Sequence, residues 1–569
     1  MSERSGPRPG PGARIAWGLA AGLPLLFLGV FFVWPVVALV VQGFFSDDGA
    51  GGRALDLSGF AEVLSEPRTW RVVGQTLAQA TAGTVLSVLL GLPGAYLLYR
   101  CRFPGRTLLR GLVTLPFVLP TVVVGVAFRA VLSPSGPLGW LGWEESFAAV
   151  VAALVFFNYS VVVRTVGGLW ERLDPRAEQA ARALGATPWR AFRTVTLPAL
   201  GPAVASAASV VFLFCSTAFG VVLVLGGLRY GTIETEIWVR TTQFLDLRSA
   251  AVLSVLQLVV VTAALLVSAR LRRGRERALH LTSDRSGAHR WRWTPSDVVP
   301  AAVTAVVVGG LLVLPMAGLV ARSFRAPDGS WGLHNYVALG TTGGRNALTV
   351  TVWEALATSL RTAALAALIA VVVGGLVALV VSRRPRSRGL RRAVGTLDTV
   401  FMLPLGVSAV TVGFGFLITL DRPLGLDVDL RTSGLLVPVA QAVVAIPLVV
   451  RTVLPVLRAI DPRLREAATT LGAPPGRVLR TVDLPLAARS LGLAVGFAFA
   501  VSLGEFGATS FLARPDAATL PVVIYRLIGL PGAENYGMAL AASVVLAVLT
   551  ASVMMVAERL RGDAGGGEF

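Results

Sequence analysis

Long apolar runs, separated by short connectors rich in Arg or in Gly and Pro, make up most of the chain. Twelve runs are long enough to matter: roughly 15–41, 72–98, 111–132, 148–168, 199–227 and 249–269, then 298–321, 358–382, 395–420, 433–457, 486–513 and 536–557. About 20 apolar residues carry a helix across the hydrocarbon core. The short alternating segments of a membrane β-barrel are not seen. The pattern predicts an all-α polytopic membrane protein with about 12 transmembrane helices. The first run is longer than the apolar core of a signal peptide, about 7–15 residues, and reads as a retained first helix.

Composition agrees: of 569 residues, 54% are hydrophobic and only 15% charged, against about 25% charged in an average soluble domain. The formal net charge of +19 would fit a nucleic-acid binder, but its placement does not. Arg residues crowd into alternate connectors, around Arg100–Arg110, Arg270–Arg292 and Arg383–Arg392. Acids mark the others: Asp47, Asp48, Asp56, Glu144, Glu145, Asp421, Asp427 and Asp429. Positive connectors stay inside, so the Arg-rich ones are expected in the cytoplasm, with both termini beside them. The bilayer, not nucleic acid, is the expected partner of this charge.

The chain repeats itself. Asp174-Pro175-Arg176 recurs as Asp461-Pro462-Arg463, Leu184-Gly185-Ala186 as Leu471-Gly472-Ala473, and Leu197-Pro198 as Leu484-Pro485, about 287 residues apart. Arg164-Thr165 matches Arg451-Thr452, and Phe219-Gly220 matches Phe506-Gly507. Six spans per repeat make the two halves parallel, with a path expected at their interface. The expected domains are 1–275 and 298–569, joined by an Arg-rich linker, 276–297.

The strongest local signal is the loop between the fourth and fifth spans, 174–198 in one half and 461–485 in the other. Asp174 and Asp461 suit helix N-caps, with Pro175 and Pro462 following. Gly185 and Gly472 suit a turn with positive φ. Thr187-Pro188 and Pro474-Pro475 start a second short helix. A paired surface hairpin of this kind suits a paired partner, its small residues fitting a groove.

These loops resemble the signature loop of permeases in binding-protein-dependent ABC importers. The residues that carry the resemblance are Glu178, Ala180, Ala181 and Gly185, and Glu466, Ala467, Ala468 and Gly472, with Glu466 aligned to Gln179. Arg465 stands opposite Glu178 and Leu479 opposite Phe192, so the two contacts are not equivalent in detail. The resemblance implies that each loop docks on an ATP-binding cassette ATPase dimer, and that a soluble substrate-binding protein delivers substrate from outside. Fusion of two six-span permeases is similar to thiamine permeases, as are Phe219–Trp238 and Gly504–Ile528; ferric-iron permeases come next.

The chain has no Lys at all. The phosphate-binding loop G-x-x-x-x-G-K-[ST] needs one, so ATP is expected to be used by the partner, with no catalytic residue and no cofactor here. His280, His289 and His334 are isolated in connectors and offer no metal site. An ion-coupled carrier is the rival reading, and it would place acids inside the bundle. Glu505 is the exception that qualifies, as a possible pathway or gate residue. It lies about 20 residues, or about 30 Å of helix, beyond Pro485, so a straight helix would leave it solvated near the outer interface. Its repeat mate is Ala218. Arg229, Glu234, Glu236, Arg240, Arg514 and Asp516 fall on the outer side, where a binding protein would dock.

Overall fold

The computed structural model describes residues 11–47, 53–227, 229–273, 289–290, 294–383, 388–420 and 429–561. The expected linker lies largely outside these residues, as do Asp48, Asp421 and Asp427. Ten described helices are long and apolar enough to cross a membrane, eleven if one bent pair is a single span. In chain order the helices used below are α1 (Gly18–Phe44), α2 (Pro67–Arg100), the bent pair α3 (Arg106–Val118) and α4 (Thr121–Leu132), and α5 (Phe147–Arg172). Then come α6 (Arg176–Ala183), α7 (Pro188–Ser216), α8 (Gly220–Leu225), α9 (Ile233–Thr242), α10 (Leu247–Ala264) and α11 (Ser296–Ser323). The rest are α12 (Val352–Val381), α13 (Arg388–Met402), α14 (Ala409–Thr419), α15 (Leu436–Ala459), α16 (Pro462–Thr470), α17 (Pro475–Gly504), α18 (Thr509–Leu512), α19 (Leu520–Gly529) and α20 (Ala533–Arg559).

Of the twelve apolar runs, the third of each half is broken. The run 111–132 is α3 and α4, meeting at 108°. Pro116 and Pro120 lack the donors a helix needs there, and a residue before proline leaves the α region; Leu119 is extended, with ψ 139°. The run 395–420 breaks at the matching place. A 3-10 turn, Leu403–Gly406, holds Pro404, Val407 is extended, and Ser408 caps α14 by accepting from Thr411 N at 3.1 Å. The fifth spans also end before the apolar runs that predict them. α7 stops at Ser216 and α17 at Gly504, and short helices α8 and α18 continue after a break.

Two compact units emerge, and they cut across the sequence halves. One contains α1 and the stretch Glu354–Val522, with the last part of the chain from Leu549. Its core gathers Leu28 and Phe32 of α1 with Ala370 of α12, Phe416 of α14 and Ile446 of α15. Phe31 lies 6.2 Å from Phe416, ring to ring. The other unit contains Gln42–Trp353 and Val523–Val548. There α2 packs on α5 and α7, while α11 packs on α2 and α4. Thus the opening helix of each half is built into the core of the other half's main helices.

The repeat is visible in contacts as well as letters. A Cβ on Gly91 would lie 2.7 Å from Val162, and one on Gly374 2.9 Å from its counterpart Val449. Close helix approach requires glycine at both sites, as small residues do between membrane helices. This fixes the register of α2 on α12 and makes Arg100 the counterpart of Arg383.

Candidate functional site

The two loops between the fourth and fifth spans fold into the same hairpin. Asp174 Oδ1 accepts from Arg176 N, and Asp461 Oδ1 from Arg463 N, both at 2.9 Å. The short first arms, α6 and α16, bury no residue. Each ends in a left-handed glycine, Gly185 at φ 90° and Gly472 at φ 79°. The closing bonds match: Ala186 N donates to Ala181 O at 3.1 Å, and Ala473 N to Ala468 O at 3.0 Å. This is the Schellman closure that only a positive-φ residue permits cheaply. Thr187 Oγ1 then accepts from Arg190 N at 3.3 Å and opens the second arm. The second arm is not a separate helix. It runs on through one π-helical turn, Phe192–Thr196 or Leu479–Asp483, directly into α7 or α17.

At the tip, Leu184 and Leu471 are 89% and 88% exposed, the highest fractions among the large hydrophobic residues of these loops. Trp189 is exposed beside the first. Ala180, Gly185, Glu466, Ala467 and Gly472 are exposed; Ala181 and Ala468 are half-buried. Glu178 is turned inward: its Oε2 accepts from Thr196 Oγ1 at 3.0 Å. At the matching positions of the second half, Arg465 Nε donates to Asp483 Oδ1 at 2.6 Å. Asp483 is fully buried and also receives Arg383 Nη2 at 2.5 Å. Arg465 Nη2 donates to Leu457 O at 3.0 Å. Sequence reading singled out Glu178 and Arg465 as a difference, but missed that Thr196 and Asp483 change with them.

Glu505 is not solvated, contrary to the straight-helix expectation. The span ends one residue earlier, and the carboxylate folds back into the break, 8% exposed. Its Oε1 accepts from Ala508 N at 2.8 Å, and its Oε2 from Thr509 N at 3.0 Å and Thr509 Oγ1 at 2.5 Å. The first half has Ala218 there and closes its break from outside: Gln79 Nε2 donates to Cys215 O at 2.8 Å, and Gln257 Nε2 to Ser216 O at 3.1 Å.

The charges expected to receive a binding protein are largely occupied. Glu234 and Glu236 are buried. Gln257 Nε2 donates to Glu234 Oε1 at 3.0 Å. Arg240 pairs with Glu66, with Glu236 at 3.1 Å and with Asp246 at 3.3 Å. Burial alone would raise the Asp246 carboxyl, but the bonds from Ser249 and Arg240 outweigh it and hold the group below its ordinary range. Only Arg514 and Asp516 of that set form an exposed pair, 3.0 Å apart.

Comparison with known proteins supplies the family. The binding-protein-dependent transport system inner membrane component family matches the chain twice, at residues 83–275 and 370–562. The thiamine transport system permease protein ThiP of Salmonella typhimurium is 30% identical over 509 residues, covering 87% of this chain and 89% of that protein. ThiP of Brucella abortus is 29% identical over 554 residues, covering 95% of each. Among solved structures, a bacterial ABC transporter involved in the import of the acidic polysaccharide alginate aligns with TM-score 0.41 and 17% identity. It covers 47% of this chain and 98% of its own. The chain belongs to the binding-protein-dependent transport system inner membrane component family: it is a membrane permease of an ABC importer, with two copies of the family domain fused.

Proposed function

We propose that this permease moves thiamine across the bacterial inner membrane, received from a soluble substrate-binding protein and driven by an ABC ATPase dimer that docks on the hairpins 174–198 and 461–485. The observation that carries the docking reading is the pair of exposed leucines, Leu184 and Leu471, at the tips of two backbones of the same shape. A large apolar side chain held out at the tip of a surface hairpin is the kind of anchor a partner pocket buries. Two such anchors at repeat-related positions fit a two-fold partner. ATP belongs to that partner, because a chain without Lys has no phosphate-binding loop.

The permease domains are 1–275 and 298–569, with the linker 276–297, both hairpins and both termini in the cytoplasm. Glu505 serves the break rather than an ion relay, since its bonds are all to its own segment. Thiamine is supported by the thiamine transport permeases that are similar over nearly the whole chain.

Two experiments test this. The binding protein that works with this permease is titrated by calorimetry with thiamine and then with ferric iron. Tight thiamine binding is expected; iron binding alone moves the substrate to iron and leaves the docking reading in place. Separately, cysteine at Leu184 or Leu471 is expected to cross-link to the ATPase. Failure of both positions to cross-link in an active complex would sink the docking reading whatever the substrate.

A further inference from the structure

Each hairpin is fastened to its own fifth span by one pair of side chains, at positions 178 and 196 in the first half and 465 and 483 in the second. The pair is Glu178 with Thr196, a single hydrogen bond at 3.0 Å. Its counterpart is Arg465 with Asp483, an ion pair at 2.6 Å. Polarity is inverted: the acid sits on the hairpin in one half and on the span in the other. The third member differs in the same sense. Arg383 completes the second tie on Asp483, while its counterpart Arg100 is 8% exposed and its Nη1 has no hydrogen-bond partner among the described residues. By repeat register Arg100 stands where Arg383 stands and Thr196 where Asp483 stands, so the first half has no carboxylate at the position where the second half keeps one.

Resting on the reading that the hairpins dock the ATPase, we propose that these pairs are interchangeable positioning units. Each sets the angle at which a docking hairpin leaves the membrane, and so sets how much of the ATPase stroke reaches the spans. The residues touch neither ATP nor substrate; they act through the hairpin. A unit works only when both members match. Arg465→Glu alone sets a second acid against the fully buried Asp483. Arg465→Glu with Asp483→Thr rebuilds the first half's unit and leaves Arg383 in the state Arg100 already tolerates. Conversely, Glu178→Arg with Thr196→Asp rebuilds the ion triad around Arg100.

The test uses the full chain in proteoliposomes with its ATPase and binding protein, reading thiamine taken up per ATP hydrolysed alongside the amount of ATPase that co-purifies. R465E is expected to lose about tenfold in uptake per ATP, and R465E/D483T to recover to within about threefold, as coupled neighbours do in a double-mutant cycle. E178R and E178R/T196D repeat the comparison if R465E does not assemble. Simple loss of fold would lower the amount of complex without changing uptake per ATP, and it would not be rescued by a second substitution. Double variants no better than their single parents, with ATPase still bound, overturn the proposal and leave docking intact. So do single variants that transport like the unmodified chain. Loss of ATPase binding only when Leu184 and Leu471 are replaced separates docking from positioning.

Discussion

Trp170 stacks on Phe192 in the first half, 5.8 Å between ring centres, and Phe192 stacks on Trp189 at 5.6 Å. Tyr96 extends the ladder, 5.6 Å from Trp170. In the second half the counterparts of Trp170, Phe192 and Trp189 are Leu457, Leu479 and Gly476, so the rings are gone. There the buried carboxylate of Asp483 gathers Arg383 and Arg465 instead. The backbone is the same and the fastening is not. Aromatic stacking holds the second arm of its hairpin to the fourth span and leaves the first arm to the single bond between Thr196 and Glu178. The ion triad instead crosses the glycine turn, from α16 to α17, and holds both arms at once. One repeated fold therefore tolerates two chemistries, provided each closes the same angle.

The largest effect expected follows from the turn itself. No atom lies within 4 Å of a Cβ added at Gly185 or Gly472, so substitution there acts through backbone strain alone. A β-branched residue in this region costs about 1–2 kcal/mol or more. Gly185→Val with Gly472→Val should cut ATP-driven uptake by more than about tenfold, since both C-terminal closures are lost. Of the single changes, Gly472→Val should be the worse, because the second half's triad spans the turn and the first half's ladder does not. Uptake assays on both single variants check the order, and equal losses would remove the distinction drawn between the two fastenings.

Asp483→Asn should come next. It leaves two guanidinium groups facing a neutral amide at a fully buried site, and breaking a buried ion pair costs about 3–5 kcal/mol. Thr196→Val, at the matching position, gives up one hydrogen bond to a half-buried carboxylate, about 1.5–3 kcal/mol. Thermal unfolding of the purified permease measures both. A loss for Thr196→Val as large as that for Asp483→Asn would mean the first tie is no weaker than the second.

The hairpins were legible because capping and turn chemistry are local. Asp174, Gly185 and Thr187 do what their types and spacing predict, and so do Asp461 and Gly472. The all-α class and the repeat were equally plain, because apolar runs and matched motifs need no tertiary information. Breaks inside the spans were harder. Apolar runs say that a segment lies in the membrane, not that it stays straight, and Pro116, Pro120 and Pro404 had to be weighed against unbroken hydrophobicity. Glu505 shows the same limit: the helix from Pro485 runs to Gly504 as expected, but the segment beyond it turns in and buries the carboxylate. The crossing of α1 into the other half's core had no sequence signal, since one apolar face looks like another. The paired change from Glu178 and Thr196 to Arg465 and Asp483 was written in the aligned repeats, but at 18 residues' separation only the contact shows that it is a pair.

The breaks after α7 and α17 extend the comparison to a smaller effect. Glu505→Gln keeps one acceptor oxygen and turns an amide toward donors, so it should cost about 1–3 kcal/mol. Protection of the amides of Ala508 and Thr509 against hydrogen exchange should fall, while ATPase coupling stays. Gln79→Leu leaves Cys215 O without its donor and should cost about 1 kcal/mol. Hydrogen exchange after Gln79→Leu should rise around Ala218 and not around Glu505. Exchange rising at both breaks would mean that they are held by a common contact rather than by separate devices.

The smallest expected effect isolates the ladder. Phe192→Leu gives the first half the second half's residue and removes two stacked contacts, each worth about 0.5–1.5 kcal/mol beyond burial. Leu479→Phe makes the reverse change but brings no ring to meet, because its neighbours are Leu457 and Gly476. If stacking is what fastens the first hairpin, Phe192→Leu lowers the unfolding midpoint and Leu479→Phe does not raise it. Phe192→Leu combined with Trp170→Leu should then cost less than the two changes summed, because the second ring has already lost its partner. Full additivity would show that these rings act as separate buried volumes, and the contrast between the hairpins would shrink to the ion triad alone.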